Sequence, residues 1–90
     1  MEFEYDPVKS ETNLTKHGID FKEAQKLWTD QFAAVARARS DTEPRFALIA
    51  QHQDKLWTAF YTEREGTIRL ISVRRARENE ERIYHEGRGT

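Results

Sequence analysis

The segment Leu56-Trp-Thr-Ala-Phe-Tyr-Thr-Glu-Arg-Glu-Gly-Thr-Ile-Arg-Leu-Ile-Ser-Val-Arg-Arg-Ala76 decides how the chain is read. Trp57, Phe60, Tyr61, Ile68, Leu70, Ile71 and Val73 are aromatic or largely β-branched, the types that suit a pleated, half-buried surface. Two strands are expected, at about residues 56–63 and 67–74, followed by an arginine-rich exit into a helix. Glu63-Arg64-Glu65-Gly66-Thr67 predicts a three-residue hairpin loop, with Gly66 in the left-handed region that its missing Cβ opens to it. Arg69, Arg74, Arg75 and Arg77 then fall within the nine residues 69–77, which contain no acid. A sheet carrying a row of planar guanidinium forks is suited to holding phosphate.

Outward from this segment, the bulk composition narrows the classes of function. The 90 residues are expected to form a single domain, residues 1–90, with no cysteine for a disulfide framework, a thiolate metal cluster or a thiol nucleophile. No apolar run approaches a membrane span, and the acidic start Met1-Glu-Phe-Glu-Tyr-Asp-Pro7 is unlike a signal peptide, so a cytoplasmic location is expected. A net charge of −1 argues against non-specific coating of nucleic acid. The charge is unevenly spread. Residues 1–63 carry eight Lys/Arg against eleven Asp/Glu, whereas residues 64–90 carry seven Arg against five Glu, which points to a local anionic ligand.

The rest of the chain reads as α+β. Phe3-Glu-Tyr5 alternates as a short strand. Asp6-Pro7 is a helix start, and the helix is expected to reach His17 with Gly18 beyond it, on a thin apolar stripe of Val8, Leu14 and then Ile19. Asp20-Phe-Lys-Glu23 is a capping pattern opening a second helix that ends at Asp30, with Phe21, Ala24, Leu27 and Trp28 facing the core. Residues 31–39 suit helix or strand, with Val35-Ala-Arg-Ala-Arg39 favouring strand. Arg45 to Gln51 is apolar on both faces and is expected to be a central strand. Ala76 to Glu86 closes the chain as a helix anchored by Ile83, leaving Gly87-Arg-Gly-Thr90 as a frayed tail. The expected architecture is a mostly antiparallel sheet with two N-terminal helices and a C-terminal helix.

Several blocks, in order along nearly the whole chain, resemble the BrnT family of bacterial toxins. They are Phe3-Glu-Tyr-Asp-Pro7, Asn13-Leu-Thr-Lys-His-Gly18 leading into Phe21, Tyr61-Thr-Glu-Arg64, and Arg69-Leu-Ile-Ser-Val-Arg-Arg-Ala76 followed by a charged helix. Two positions depart from the family pattern: Tyr5 stands where Trp is usual, and Val73 where a small residue is common. The resemblance implies a RelE-like fold and a ribonuclease that needs no metal or other cofactor. It also implies a ribbon-helix-helix antitoxin of the BrnA type as partner in a heterotetramer. Promoter DNA would be bound only through that antitoxin.

RNA supplies its own nucleophile, the 2′-hydroxyl. Cleavage then needs a base, an acid for the leaving 5′-oxygen, and cations for the phosphorane. Arg64, Arg69, Arg74 and Arg75 are the candidate cations, with ion pairing to Glu63, Glu65 or the acids of the last helix as the competing reading. His17 has a suitable intrinsic pKa but equally completes a helix C-terminus. Glu63 serves as a base only if its pKa is raised. Lys16 is a candidate for holding the substrate's charge, and Tyr61 for stacking on a base or for the core. His17, His52 and His85 have no ligand spacing, so no metal site is expected. The alternative function is a non-catalytic binding subunit whose arginine face grips a partner protein or a nucleic-acid backbone.

Overall fold

The computed structural model describes residues 1–88. In chain order the elements are β1 (Glu2–Glu4), α1 (Pro7–His17), α2 (Phe21–Ala24) with a 3-10 continuation at Gln25–Thr29, β2 (Ala34–Ala38), β3 (Arg45–His52), β4 (Lys55–Arg64), β5 (Thr67–Arg75) and α3 (Glu78–Arg88). The five strands form one sheet in the order β1-β5-β4-β3-β2. β1 runs parallel to β5, and all other pairings are antiparallel. The sheet is mostly antiparallel as expected, with β3, β4 and β5 in its interior.

Local chemistry sets the element boundaries. The Asp6 carboxylate accepts the Val8 N–H at 2.9 Å, Pro7 takes the first helical position, and Gly18 ends α1 at φ 81° with its N–H on the Leu14 carbonyl. Asp20 caps α2 by accepting the Glu23 N–H at 2.7 Å. The second helix is not one continuous α-helix: only four residues are α, and the remainder tightens to 3-10 before Asp30. Both hairpins turn in two residues. Gln53 and Asp54 have φ 52° and 64°, and Glu65 and Gly66 have φ 50° and 86°, the doubly left-handed geometry of a type I′ turn. The expected three-residue loop is therefore one residue too long, because Arg64 still pairs with Thr67.

The core lies between one face of the sheet and the N-terminal helices. Leu48, Ala50, Trp57, Ala59, Tyr61, Ile68, Leu70 and Val73 pack against Ile19, Phe21, Ala24 and Leu27, with Phe3, Tyr5, Trp28 and Phe46 at the margin. The apolar stripe expected on α1 is instead exposed at Val8 and Leu14. That helix buries Ser10 and Asn13 and is attached by hydrogen bonds, Ser10 Oγ accepting the Phe21 N–H at 2.9 Å. α3 lies against β2 and β3. Its anchor is Tyr84, 1% exposed, rather than Ile83, which is 40% exposed. The Tyr84 hydroxyl donates to Asp30 Oδ2 at 2.7 Å, and the same carboxylate receives the Gln51 and Phe32 N–H groups, tying α3 to the end of the second helix and to β3. Gly87 and Arg88 belong to α3 rather than to a tail, and Gly89 and Thr90 lie outside the described residues. Among the described residues no helix is long and apolar enough to cross a membrane.

Candidate active site

Side chains alternate along a regular strand, so residues five apart point to opposite faces. Arg69 and Arg74 are five apart, yet they share a face because β5 is irregular. Phe60 pairs with Ser72 and Tyr61 with Leu70, leaving Ile71 as an extra residue, a β-bulge that resets the alternation. Arg69 then stands opposite Thr62, Arg74 opposite Thr58, and Arg64 opposite Thr67, all on the face away from the N-terminal helices. Arg75 pairs with Trp57 and Glu63 with Ile68, on the other face. The Arg75 guanidinium carbon lies 5.6 Å from the Trp57 ring centroid. Three of the four candidate arginines thus share one face of the sheet, while Arg75 and Glu63 lie on the other.

Each of the three has an internal partner. Arg74 is 20% exposed and grips Glu80 of α3 with both prongs, at 2.8 and 2.9 Å, while its guanidinium carbon lies 5.0 Å from the Phe60 ring centroid. Glu80 also accepts from Thr58 Oγ1 at 2.9 Å and from the Arg77 N–H at 2.7 Å, the latter being the backward bond of a capping box. Burial works to raise the Glu80 carboxyl, but the bonds from Arg74, Arg77 and Thr58 outweigh it and hold the pKa at about 2. Arg64 holds Glu43 of the β2–β3 loop at 2.8 and 3.2 Å. Arg69 has the loosest contact, 3.6 Å to Glu4 of β1.

Lys16 and His17 are exposed at the C-terminal end of α1 and, with Lys9, Thr12 and Asn13, line a cleft of about 200 Å³ against Ile71 and Ser72 of the bulge. Among the described residues no carboxylate lines it. Ser72 belongs to this cleft and, through its pairing with Phe60, to the arginine face. Cations on α1 and on the sheet therefore flank one serine. Tyr61 is placed differently from a base-stacking residue. It is 5% exposed, its ring 5.2 Å from Trp28 and 5.6 Å from Phe46, and burial followed by the nearby Glu63 charge raises its pKa. Among the described residues no three His, Cys, Asp or Glu side chains are grouped as a metal site requires.

Residues 5–80 match the family described as the ribonuclease toxin BrnT of type II toxin–antitoxin systems. The chain belongs to the BrnT family. No curated protein is matched by it. Membership makes the chain a ribonuclease toxin and implies an antitoxin partner, and the quoted blocks fall inside the matched span except for Phe3 and Glu4 at the start of the first. In this BrnT chain the sequence reading missed Glu80, whose position three residues into α3 was a usable capping signal, and Ser72, whose place depends on the bulge. It also missed Arg45, which the strand register brings to the arginine face, and Glu43, which Arg64 holds there from the β2–β3 loop.

Proposed function

We propose that the protein is an endoribonuclease toxin that cleaves RNA without a metal ion, inhibits translation and growth, and is neutralised by a BrnA-like ribbon-helix-helix antitoxin. The observation that carries the chemistry is the position of Ser72 between the basic cleft of α1 and the arginine face of β5. The scissile phosphate would lie over Ser72, facing Arg69 and Arg74, with Lys16 supplying a further positive charge. The 2′-oxygen attacks phosphorus and the bond to the 5′-oxygen breaks, leaving a 2′,3′-cyclic phosphate and a 5′-hydroxyl. His17, which lines the cleft, is the group assigned to proton transfer. Arg64 extends the cationic surface, while Arg75, Glu63 and Tyr61, from their positions, stay outside the reaction.

Membership of a type II toxin family supports the antitoxin as partner. A heterotetramer built on antitoxin dimerisation, promoter DNA bound through the antitoxin alone, a cytoplasmic site of action and a RelE-like relationship of the fold complete the reading. The test is cleavage of a structured RNA by the purified, folded protein in excess chelator, with product ends mapped. Cyclic phosphate ends are expected. Intact RNA from a folded protein that still binds it would overturn the enzymatic reading in favour of a binding subunit with an arginine grip.

A further inference from the structure

Glu43, Arg45 and Thr62 are not used by the chemistry above. The Glu43 carboxylate is held by both prongs of Arg64, and that hydrogen bond, opposed by desolvation and aided by the charges of Arg64, Arg45 and Arg69, lowers its pKa. Three guanidiniums from β3, β4 and β5 thus act on one carboxylate. A two-oxygen carboxylate edge presents to an arginine fork the same pattern as a phosphate edge.

A second observation points the same way. Among the described residues, the buried side-chain polar atoms without a hydrogen-bond partner are Arg45 Nε and Thr62 Oγ1. Thr62 is 1% exposed and pairs with Arg69. Continuing the β3–β4 register past Phe46↔Tyr61 sets Arg45 beside Thr62, so Arg45, Thr62 and Arg69 form one row across the arginine face. Unsatisfied buried donors are unfavourable and are rarely left without a role. Glu43 satisfies Arg64 and neither of them. A phosphate, with more acceptor oxygens than a carboxylate, has capacity for further donors in the row. Glu43 itself sits in the loop between β2 and β3, where its release disturbs no ladder of the sheet.

We propose that Arg45 and Arg64, with Thr62, form a subsite for an RNA backbone phosphate flanking the scissile one, with Arg69 shared between the two phosphates, and that Glu43 occupies the subsite until RNA displaces the carboxylate. The proposal rests on the ribonuclease reading for its ligand. The row lies beyond the Phe60–Ser72 pair from Arg74, so it meets a neighbouring phosphate of the same strand. Glu43 then lowers affinity for weak anions while leaving room for a polyanion that engages both sites.

The experiment is the salt dependence of binding to a fully 2′-O-methylated RNA oligonucleotide, which lacks the nucleophile and is not cut. Glu43→Gln is expected to tighten binding roughly three- to tenfold at low salt. Arg45→Gln is expected to weaken binding and to reduce the slope of log K against log salt by about 0.7, the value for one phosphate of a single strand. Unchanged or weaker binding in Glu43→Gln overturns the proposal, as does an unchanged slope in a folded Arg45→Gln. If Arg45→Gln does not fold, the Glu43→Gln result decides alone. A merely structural Glu43 would lower Tm and leave affinity untouched. Variant effects as expected, with no cutting of unmodified RNA, leave the subsite standing and remove the enzymatic reading. Cutting with no variant effect on binding removes the subsite alone, and no RNA binding by the unaltered protein removes both.

Discussion

Asn13 of α1 takes the place of a neighbouring strand for Val73 of β5. Its Oδ1 accepts the Val73 N–H at 3.1 Å and its Nδ2 donates to the Val73 carbonyl at 2.8 Å. β1 accompanies β5 only as far as Arg69, so beyond the bulge the outer edge of β5 would otherwise present unpaired backbone. The same Nδ2 donates to the Ile19 carbonyl at 2.8 Å, so one buried carboxamide joins α1, the entry to α2 and the sheet.

Replacing Asn13 should therefore be among the most damaging polar changes in the chain. Asn13→Ala leaves three buried backbone groups without partners, and a loss of about 2–4 kcal/mol is expected in urea unfolding. Asn13→Asp should be comparably harmful, since a carboxylate cannot donate to two carbonyls. Because this bridge seats the Lys16 and His17 end of α1 beside Ser72, any folded variant should also cleave RNA more slowly. A loss under 1 kcal/mol would remove Asn13 from this role.

Glu80 gives the protein an acid-sensitive joint. Its carboxyl is held at about 2 when folded, below the 4.5 of an unperturbed glutamate. A depressed folded pKa adds stability that is fully present above the unfolded value and is lost as the pH falls through the window from 4.5 towards 2. Glu80→Gln should destabilise the protein by about 1–3 kcal/mol at neutral pH, and the gap to the unaltered protein should narrow below pH 4.5. Urea midpoints across that range check this. A gap that stays constant with pH would assign the loss to packing rather than charge.

The strands, the helix caps and the arginine cluster could be read from sequence because each is written in adjacent residues. Asp6-Pro7 and Asp20-Phe-Lys-Glu23 cap the helices where their chemistry dictates. What escaped was long-range. The bulge at Ile71 has no local marker, yet it decides that Arg69 and Arg74 share a face and that Arg75 does not. Val8 and Leu14 read as an apolar stripe, but α1 is held by Ser10 and Asn13, whose partners lie 11 and 60 residues away. Ile83 and Tyr84 are adjacent in sequence, and it is Tyr84, bonded to Asp30 across the fold, that is buried.

The turn between β3 and β4 offers a stabilising change. Gln53 and Asp54 both hold positive φ, which side chains with a Cβ adopt at some expense. Replacing Gln53-Asp54 with Asn-Gly supplies the residues that a type I′ turn favours. An increase of about 0.5–1 kcal/mol is expected, read as a higher urea midpoint with an unchanged slope. The turn lies at the opposite end of the β4 strand from Arg64, so RNA cleavage should be unaffected.

The sharpest prediction concerns Arg69 and Arg74, which the bulge brings to one face but which differ in what holds them. Arg74 is committed to Glu80 by two short bonds, and Arg74→Ala leaves a half-buried carboxylate with less compensation, so both stability and cleavage should fall. Arg69 is more exposed, and its contact with Glu4 is long; such pairs contribute little, so Arg69→Ala should change stability by less than about 1 kcal/mol. If Arg69 faces the phosphorane, the same change should lower kcat by roughly 10²–10³-fold, the effect of removing one donor from a developing anion. His17→Ala should reduce cleavage by about 10²–10⁴-fold with the fold intact. Single-turnover cleavage beside urea unfolding separates these outcomes. A stable Arg69→Ala protein that cleaves at the unaltered rate would move the scissile phosphate away from the arginine face.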